Sequence, residues 1–461
     1  MEVKRMPHLA GSLVKIAACG ILLLAGTQRF SSTYTDFSRW FDLSTIDAPK
    51  PSVVRVARTE HGYQLMRNGE PYFIRGAGAV GAVHLDLLTR LGGNSIRTWA
   101  ADGLGPVLDE ANQKGITVMI GLWVAHGRHG FDYSNPKMVA AQLEEFRAKV
   151  RKYKDHPALL IWGVGNEAEG TGEDKDFWRA LNDIAAMIQQ EDPNHPTCTV
   201  VAEIGGPKIS MIKRLCPAID ILGVNSYKGL QTLPDRLLKA GWNKPYIMTE
   251  YGPPGPWSWE VPTTKWGAPI EMTSTQKAQY YEKGYNAAVA TQSARCLGSY
   301  AFIWGDKQEG TSTWFGLLMP DGRMLASTLS VGKMWTGKEP AEQAPEIISL
   351  QSKSFAREVK AGQVIRVALK ARHAVNETLT VKWDLRDETA PRRPGDDSEQ
   401  EPAAHGIDAV RSSDELLVFR APEKEGAYRL FVYVVDAAGY VATANMPFYV
   451  GKVPPPAPVK K

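Results

Sequence analysis

ALLIWGVGNE, residues 158–167, is a short apolar run without alternation that ends abruptly on an amide and a carboxylate, Asn166 and Glu167. A strand with one wet face alternates apolar and polar residues. A strand that does not alternate is buried on both faces, as in a parallel sheet covered by helices. Seven further runs share the pattern: YFIRGAG (72–78), NSIRTWA (94–100), ITVMIGLWVA (116–125), TCTVVAE (197–203), IDILGVNSY (219–227), PYIMTEYG (245–252) and GSYAFIWG (298–305). Between them HLDLLTRLG, MVAAQLEEFRAKVRKYKDH, DFWRALNDIAAMIQQ and TQKAQYYEKGYNAAVATQ repeat apolar residues three and four apart, the spacing of an amphipathic helix. Alternating buried strands and helices predict an α/β fold, a (β/α)8 TIM barrel over residues 60–337. A doubly wound open sheet competes, but the glycine-rich phosphate loop expected after its first strand is missing in GxGxxG or Walker form.

On the C-terminal side a linker at 338–346 precedes VIRVALKA, LTVKWDL, ELLVFRA and YRLFVYVVDAAGYVATANMPFYV, whose alternation predicts an immunoglobulin-like β-sandwich over 347–452. Its polar insertion, 392–406, reads as a mobile loop, and the proline-rich end, 453–461, as a disordered tail. Ahead of the barrel, YQLMRNGEPYFIRGAG reads as a hairpin turning at Asn68-Gly69, with a linker at 31–59 before it. Residues 1–30 carry Lys4, Arg5 and Lys15 around an apolar run from Ile16 to Gly26, the pattern of a signal peptide or N-terminal anchor. The run is shorter than the roughly 20 residues of a relaxed membrane span. Export to the periplasm or another extracytoplasmic space is expected, with cleavage and N-terminal membrane association both open.

Composition narrows the partners. The formal charge is +4, with 43% hydrophobic and 23% charged residues, so nothing demands nucleic acid. Beyond Cys19, Cys198, Cys216 and Cys296 are odd in number and widely spaced, which predicts buried small apolar side chains and neither a disulfide framework nor a metal site. His126, His129 and Asp132 lack the spacing of a zinc motif. No metal and no cofactor are expected.

In a TIM barrel the reactive groups stand where strands end. The fourth run ends in Asn166-Glu167 and the seventh carries Glu250. Two carboxyls converging on one bond can divide the roles of nucleophile and proton donor. Arg97, ending the second run, and Tyr227, ending the sixth, would hold a nucleophilic glutamate ionised. Asn166 can grip a sugar 2-hydroxyl, and Trp304 can floor the ring. Trp123, His126 and Glu203 follow as subsite candidates. The loop PPGPWSWEVPTTKWGAP (253–269) offers Trp257 for stacking on further sugars, against packing as a barrel cap. Any of these carboxylates could instead cap a helix or pair with a neighbouring cation.

The motifs HPALLIWGVGNE, GVNSY, MTEYG and YAFIWG resemble clan A of the glycoside hydrolases, most closely the family 2 catalytic barrel, over roughly residues 60–337. The resemblance implies Glu167 as acid/base and Glu250 as nucleophile, with Arg97, Tyr227 and Trp304 at supporting positions. The jelly roll and sandwich that usually precede a family 2 barrel find no match here, so β-galactosidase or β-glucuronidase identity is not expected. What is expected is a retaining β-glycoside hydrolase acting on β-glucan-like oligo- or polysaccharides. A transglycosylase using the same residues, or a noncatalytic carbohydrate-binding or assembly protein, are the alternatives.

Overall fold

The computed structural model describes residues 50–375, 378–388 and 399–454. The signal or anchor segment, most of the 31–59 linker, the first part of the 392–406 insertion and most of the tail lie outside the described residues.

The chain enters through a three-stranded antiparallel meander, β1 (Val54–Thr59), β2 (Gly62–Arg67) and β3 (Glu70–Tyr72). The β2–β3 turn is Asn68-Gly69, both at positive φ (53° and 86°), which an Asn-Gly pair tolerates. The expected linker therefore ends earlier than 59. Val54 is fully buried and belongs to one apolar cluster with Leu65, Ile74 and Met119, while Ser52 is tied to the Leu159 carbonyl and to His195. Backbone bonds from Val54 to Asn194 and from Tyr63 to Ala294 reach the residues just ahead of two barrel strands. The meander thus caps the face where barrel strands begin, leaving the other face open.

The barrel closes from β4 (Ile74–Ala79), β5 (Ser95–Arg97), β6 (Thr117–Leu122), β7 (Leu159–Val164), β8 (Thr197–Ala202), β9 (Ile221–Asn225), β10 (Tyr246–Tyr251) and β11 (Cys296–Trp304). All its pairs are parallel, as the unbroken apolar runs predict. In β7, Leu160 and Ile161 join the cluster containing Met119, Val200 and Ile247, whereas Leu159, Trp162 and Val164 join the cluster that includes helix residues. Both faces are dry, which is why the run does not alternate.

Helices α1 (Leu85–Arg90), α2 (Gly105–Gln113), α3 (Pro136–Tyr153), α4 (Lys175–Glu191), α5 (Lys208–Leu215), α6 (Leu233–Lys239), α7 (Ser274–Ala288) and α8 (Ala326–Thr336) follow the strands. Asn135, before Pro136, caps α3 by accepting from the Lys137 and Met138 amides; Asp174 caps α4 in the same way. The apolar face of α4, including Phe177, Trp178, Leu181, Ile184 and Ile188, is buried in the barrel's outer core. Cys198, Cys216 and Cys296 are buried free thiols, as expected. Among the described residues no helix is long and apolar enough to cross a membrane.

The C-terminal part is a two-sheet sandwich made of β12 (Glu346–Gln351), β13 (Glu358–Val359), β14 (Val364–Arg372), β15 (Thr380–Asp387), β16 (Ala404–His405), β17 (Asp408–Ser412), β18 (Leu416–Arg420), β19 (Gly426–Val435) and β20 (Val441–Val450). One sheet runs β12-β14-β18-β17, the other β13-β20-β19-β15-β16, and Ile365, Phe419, Leu430 and Phe448 fill the space between. The described half of the polar insertion is anchored and so departs from the mobile loop expected. Ala404–His405 pairs with β15, and Glu401 bridges Arg386 at 2.6 Å. Sandwich and barrel join directly: Arg429 donates to the Pro269 carbonyl (2.8 Å), the Thr443 amide to Ser274 (2.9 Å) and the Ile347 amide to Thr275 (3.1 Å).

Candidate active site

At the open face the strand ends stay tied to one another. The Glu167 amide bonds to the Val200 carbonyl and the Ser226 amide to the Glu250 carbonyl, both at 3.0 Å. The candidate positions at these strand ends are therefore tied into the barrel itself. Glu167 itself sits in the left-handed region, φ 52°, which is strained for a residue with a Cβ and turns its side chain sharply as β7 ends.

Three donors converge on Glu250, which is 6% exposed. Arg97 Nη1 (2.7 Å) and Trp99 Nε1 (2.8 Å) reach Oε1, and the Tyr227 hydroxyl reaches Oε2 (2.7 Å). None of these groups needs a proton from the carboxyl, so the cage fits an acceptor-only, ionised carboxylate. The Tyr227 hydroxyl is held well above the ordinary phenol range, by burial first and then by the Glu250 charge, so it remains a donor. Trp99 approaches β4 closely because Gly78 lies beneath it; a Cβ there would stand 2.7 Å from the indole ring.

Glu167 has the opposite environment. Burial, followed by the negative charge of Glu250, pushes its carboxyl up to about 7, against a single lowering hydrogen bond from Asn225 Nδ2 at 2.8 Å. Asn225 also donates to Asn166 Oδ1 (3.0 Å), and Arg97 Nη2 donates to that same oxygen (2.6 Å). Thr249 fixes the Asn225 amide by donating to its oxygen at 2.8 Å. With its carbonyl so engaged, Asn166 has its amide N–H groups as the end outside these two bonds. One network thus connects the two glutamates through Arg97, Asn166 and Asn225.

The structure brings together Arg97, Asn166, Glu167, Tyr227 and Glu250, the residues that sequence reasoning placed at strand ends. Trp257 packs edge-on to Tyr227, 5.8 Å between centroids, and is 41% exposed at the mouth. Trp123 stacks on His126 (5.1 Å) and His126 on His129 (5.4 Å); His126 also lines a cavity of about 200 Å3 beside Glu167, with Tyr133, Asp174 and Phe177. Among the described residues no group of His, Cys, Asp and Glu is arranged to hold a metal ion.

One expectation needs correction. Trp304 is 2% exposed; its indole donates to the Val83 carbonyl (2.8 Å) and its ring lies against Trp335 of α8. It offers no open face as a sugar floor. The cause is a register shift between Ala301 and Trp304 where β11 pairs with β4, which re-aims the strand's last side chain. Glu203, a subsite candidate that could equally be structural, is ion-paired with Arg236 (2.7 Å), accepts from Ser226 and keeps a partly exposed side chain after β8.

Two side chains that bond to the paired glutamates escaped sequence reasoning, Trp99 and Asn225. Trp99 had a usable signal: it lies two residues after Arg97, so a period of two puts both on one side of the strand end. Asn225 is the polar residue that ends β9, as Asn166 follows β7.

Fold and site together define a (β/α)8 barrel with two carboxyls joined by one hydrogen-bond network at its open face. Residues 99–255 match the model of the glycosyl hydrolases family 2, TIM barrel domain, in agreement with the resemblance carried by the strand-end motifs. The chain is 26% identical over 216 residues to mannan endo-1,4-beta-mannosidase F of Aspergillus fumigatus, covering 42% of this chain and 48% of that protein. It is 26% identical over 237 residues to a beta-glucuronidase of Paenibacillus borealis (43% of this chain, 38% of the relative) and 26% over 230 residues to that of Sus scrofa (43% and 33%). The match thus spans less than half the length of each of these relatives, all of them glycoside hydrolases. Among solved structures, Bacteroides uniformis beta-glucuronidase 2 aligns with TM-score 0.48 at 13% identity, covering 86% of this chain and 48% of that one. Ruminococcus gnavus beta-glucuronidase aligns at 0.49 and 16%, covering 62% and 53%.

Proposed function

We propose that this protein is a retaining β-glycoside hydrolase of β-glucan-like oligo- or polysaccharides, with Glu250 as nucleophile and Glu167 as acid/base. The observation that carries this reading is the opposite treatment of two neighbouring carboxyls. Glu250 is caged by three donors, while burial and the adjacent charge favour the protonated form of Glu167. In the first step a Glu250 oxygen bonds to the anomeric carbon, the glycosidic C–O bond breaks, and Glu167 gives its proton to the leaving oxygen. In the second, Glu167 takes a proton from water, the resulting oxygen attacks the anomeric carbon, and Glu250 departs. Two displacements retain configuration. Asn166 grips the 2-hydroxyl as oxocarbenium character grows.

A polymeric substrate is supported by Trp257 and by Trp259, which is 90% exposed on the same loop, since aromatic faces suit successive sugar rings. A relative named for endo action on mannan is in keeping with a chain substrate. Export, read from residues 4–26, belongs to the same proposal, because such polymers are met outside the cytoplasm.

The test compares wild type, Glu167→Gln and Glu250→Gln on aryl β-glucosides and β-glucan oligosaccharides. Both variants should lose about 10²–10⁴-fold or more, Glu167→Gln least with leaving groups that need no proton. For wild type, kcat/KM should fall as pH rises through about 7, because the working form of Glu167 is the protonated one, and this limb should vanish in Glu167→Gln. Products longer than the substrate would assign transglycosylation to the same residues. Wild type inert on every substrate, yet binding the oligosaccharides, would leave a noncatalytic carbohydrate-binding protein.

A further inference from the structure

The loop that follows β11 carries a polar pair that the two-glutamate mechanism does not use. Lys307 and Glu309 form an ion pair at 2.9 Å, with side chains 30% and 16% exposed and the paired Glu309 Oε2 itself buried. The Lys307 ammonium stands 5.1 Å from the Phe302 ring centroid. Phe302 in turn packs edge-on against Trp99 (6.0 Å) and Tyr227 (5.8 Å), both of which hold the nucleophile. The pair is therefore one aromatic ring removed from the Glu250 cage. The cavity beside the acid/base is lined from the loops after β6 and β7 and does not include this loop. In a retaining reaction the sugar whose anomeric carbon is attacked lies against the nucleophile, which puts Lys307 and Glu309 on that sugar's side.

The loop's position is set from outside the barrel. Glu399, in the sandwich insertion, accepts from the Gly310 amide (2.9 Å) and from Gln308 Nε2 (3.1 Å), the residues on either side of Glu309. The Glu309 amide closes the turn onto the Thr311 carbonyl at 3.2 Å. The loop is thus hydrogen-bonded at three successive positions, Gln308, Glu309 and Gly310.

We propose that Lys307 and Glu309 form a hydroxyl-reading clamp for the sugar unit attacked by Glu250, that they select a neutral sugar over a uronate, and that Glu399 of the sandwich positions them. The inference rests on the hydrolase reading above. An ammonium donates to a hydroxyl oxygen while a carboxylate accepts from the next hydroxyl, so a joined pair matches a vicinal diol. The same pair carries no net charge to attract a carboxylate. A uronate would face Glu309 and Glu250, with Lys307 already engaged.

The experiment uses the full chain with Lys307→Met, Glu309→Gln and Glu399→Gln. It measures kcat and KM on aryl β-glucoside, β-mannoside and β-glucuronide, and calorimetric affinity for a β-glucan oligosaccharide in the Glu250→Gln background. Glu309→Gln should raise KM for the neutral glycosides about ten-fold with a smaller change in kcat, and should narrow the preference for neutral over uronide substrate by a similar factor. Glu399→Gln should move the same ratio in the same direction by a smaller factor. Thermal midpoints, read alongside, should stay near wild type for Glu309→Gln. Equal loss on all three sugars, or unchanged selectivity and unchanged oligosaccharide affinity, overturns the clamp while leaving the two-glutamate reading standing. Affinity lost in Glu309→Gln from a protein inert on every glycoside would keep the clamp and remove the hydrolase.

Discussion

Trp99 shows how one side chain can tie chemistry to architecture. Its N–H shares Glu250 Oε1 with Arg97, while Tyr227 alone holds Oε2, so the carboxylate is gripped unequally at its two oxygens. The Arg97 guanidinium also lies 5.2 Å from the Trp99 ring, which links the two donors to each other. Replacing Trp99 by Phe keeps the ring but deletes a hydrogen bond to a charged group, a loss of about 1.5–3 kcal/mol. By transition-state arithmetic kcat/KM should fall roughly 10–100-fold, and Trp99→His, with a ring N–H, should recover part of it. Steady-state kinetics on an aryl glycoside checks this; Phe and His variants of equal, wild-type activity would remove Trp99 from the cage.

At the scale of elements, the ends of the barrel strands were legible and the loops between them much less so. A dry strand announces itself by failing to alternate, and a polar residue at its end is then conspicuous: Arg97, Asn166, Glu167, Tyr227 and Glu250 were found that way. Trp304 was misjudged because the shift in β11 and its partner Trp335, on a distant helix, leave no mark in the local run. Likewise β1 was taken for linker, since its burial comes from contact with the barrel's closed end. The 253–269 loop divides between the two readings offered for it. Trp266 packs on Tyr449 of the sandwich, as a cap would, whereas Trp259 is 90% exposed and Trp257, packed on Tyr227 and Phe315, keeps 41% of its surface open. Replacing Trp257 and Trp259 by Ala should therefore raise KM for long β-glucan oligosaccharides by about ten-fold, and for aryl glycosides far less. Equal loss on long and short substrates would count against a stacking role.

For the whole molecule, the barrel and sandwich are joined by a polar core that neither could leave exposed. Arg429, 1% exposed, donates to Glu388 (2.9 Å), to Asn445 (2.6 Å) and to the Pro269 carbonyl, and Asn445 hands on to Glu271 (2.5 Å). Burial alone would push Glu271 up, but Lys277, with the hydroxyl of Thr311, holds it below the usual carboxylate range. Removing one member of such a network strands its partner's charge, a cost of about 3–5 kcal/mol. Arg429→Met should thus lower the thermal midpoint by several degrees, and the wild type should unfold barrel and sandwich in one calorimetric transition. Two separated transitions, with the barrel's midpoint untouched by the variant, would show instead that the two parts stand alone.

The left-handed backbone at Glu167 sets the fold against the reaction. At φ 52° glycine would sit without penalty, while any side chain costs roughly 1–2 kcal/mol. The torsion that aims the proposed proton donor is one that the barrel, judged only as a folded object, would hand to glycine. On the proposed mechanism a Glu167→Gly chain would relieve this torsion and lose the acid together, so a search for variants that relax local strain while ignoring turnover would drift toward inactive chains.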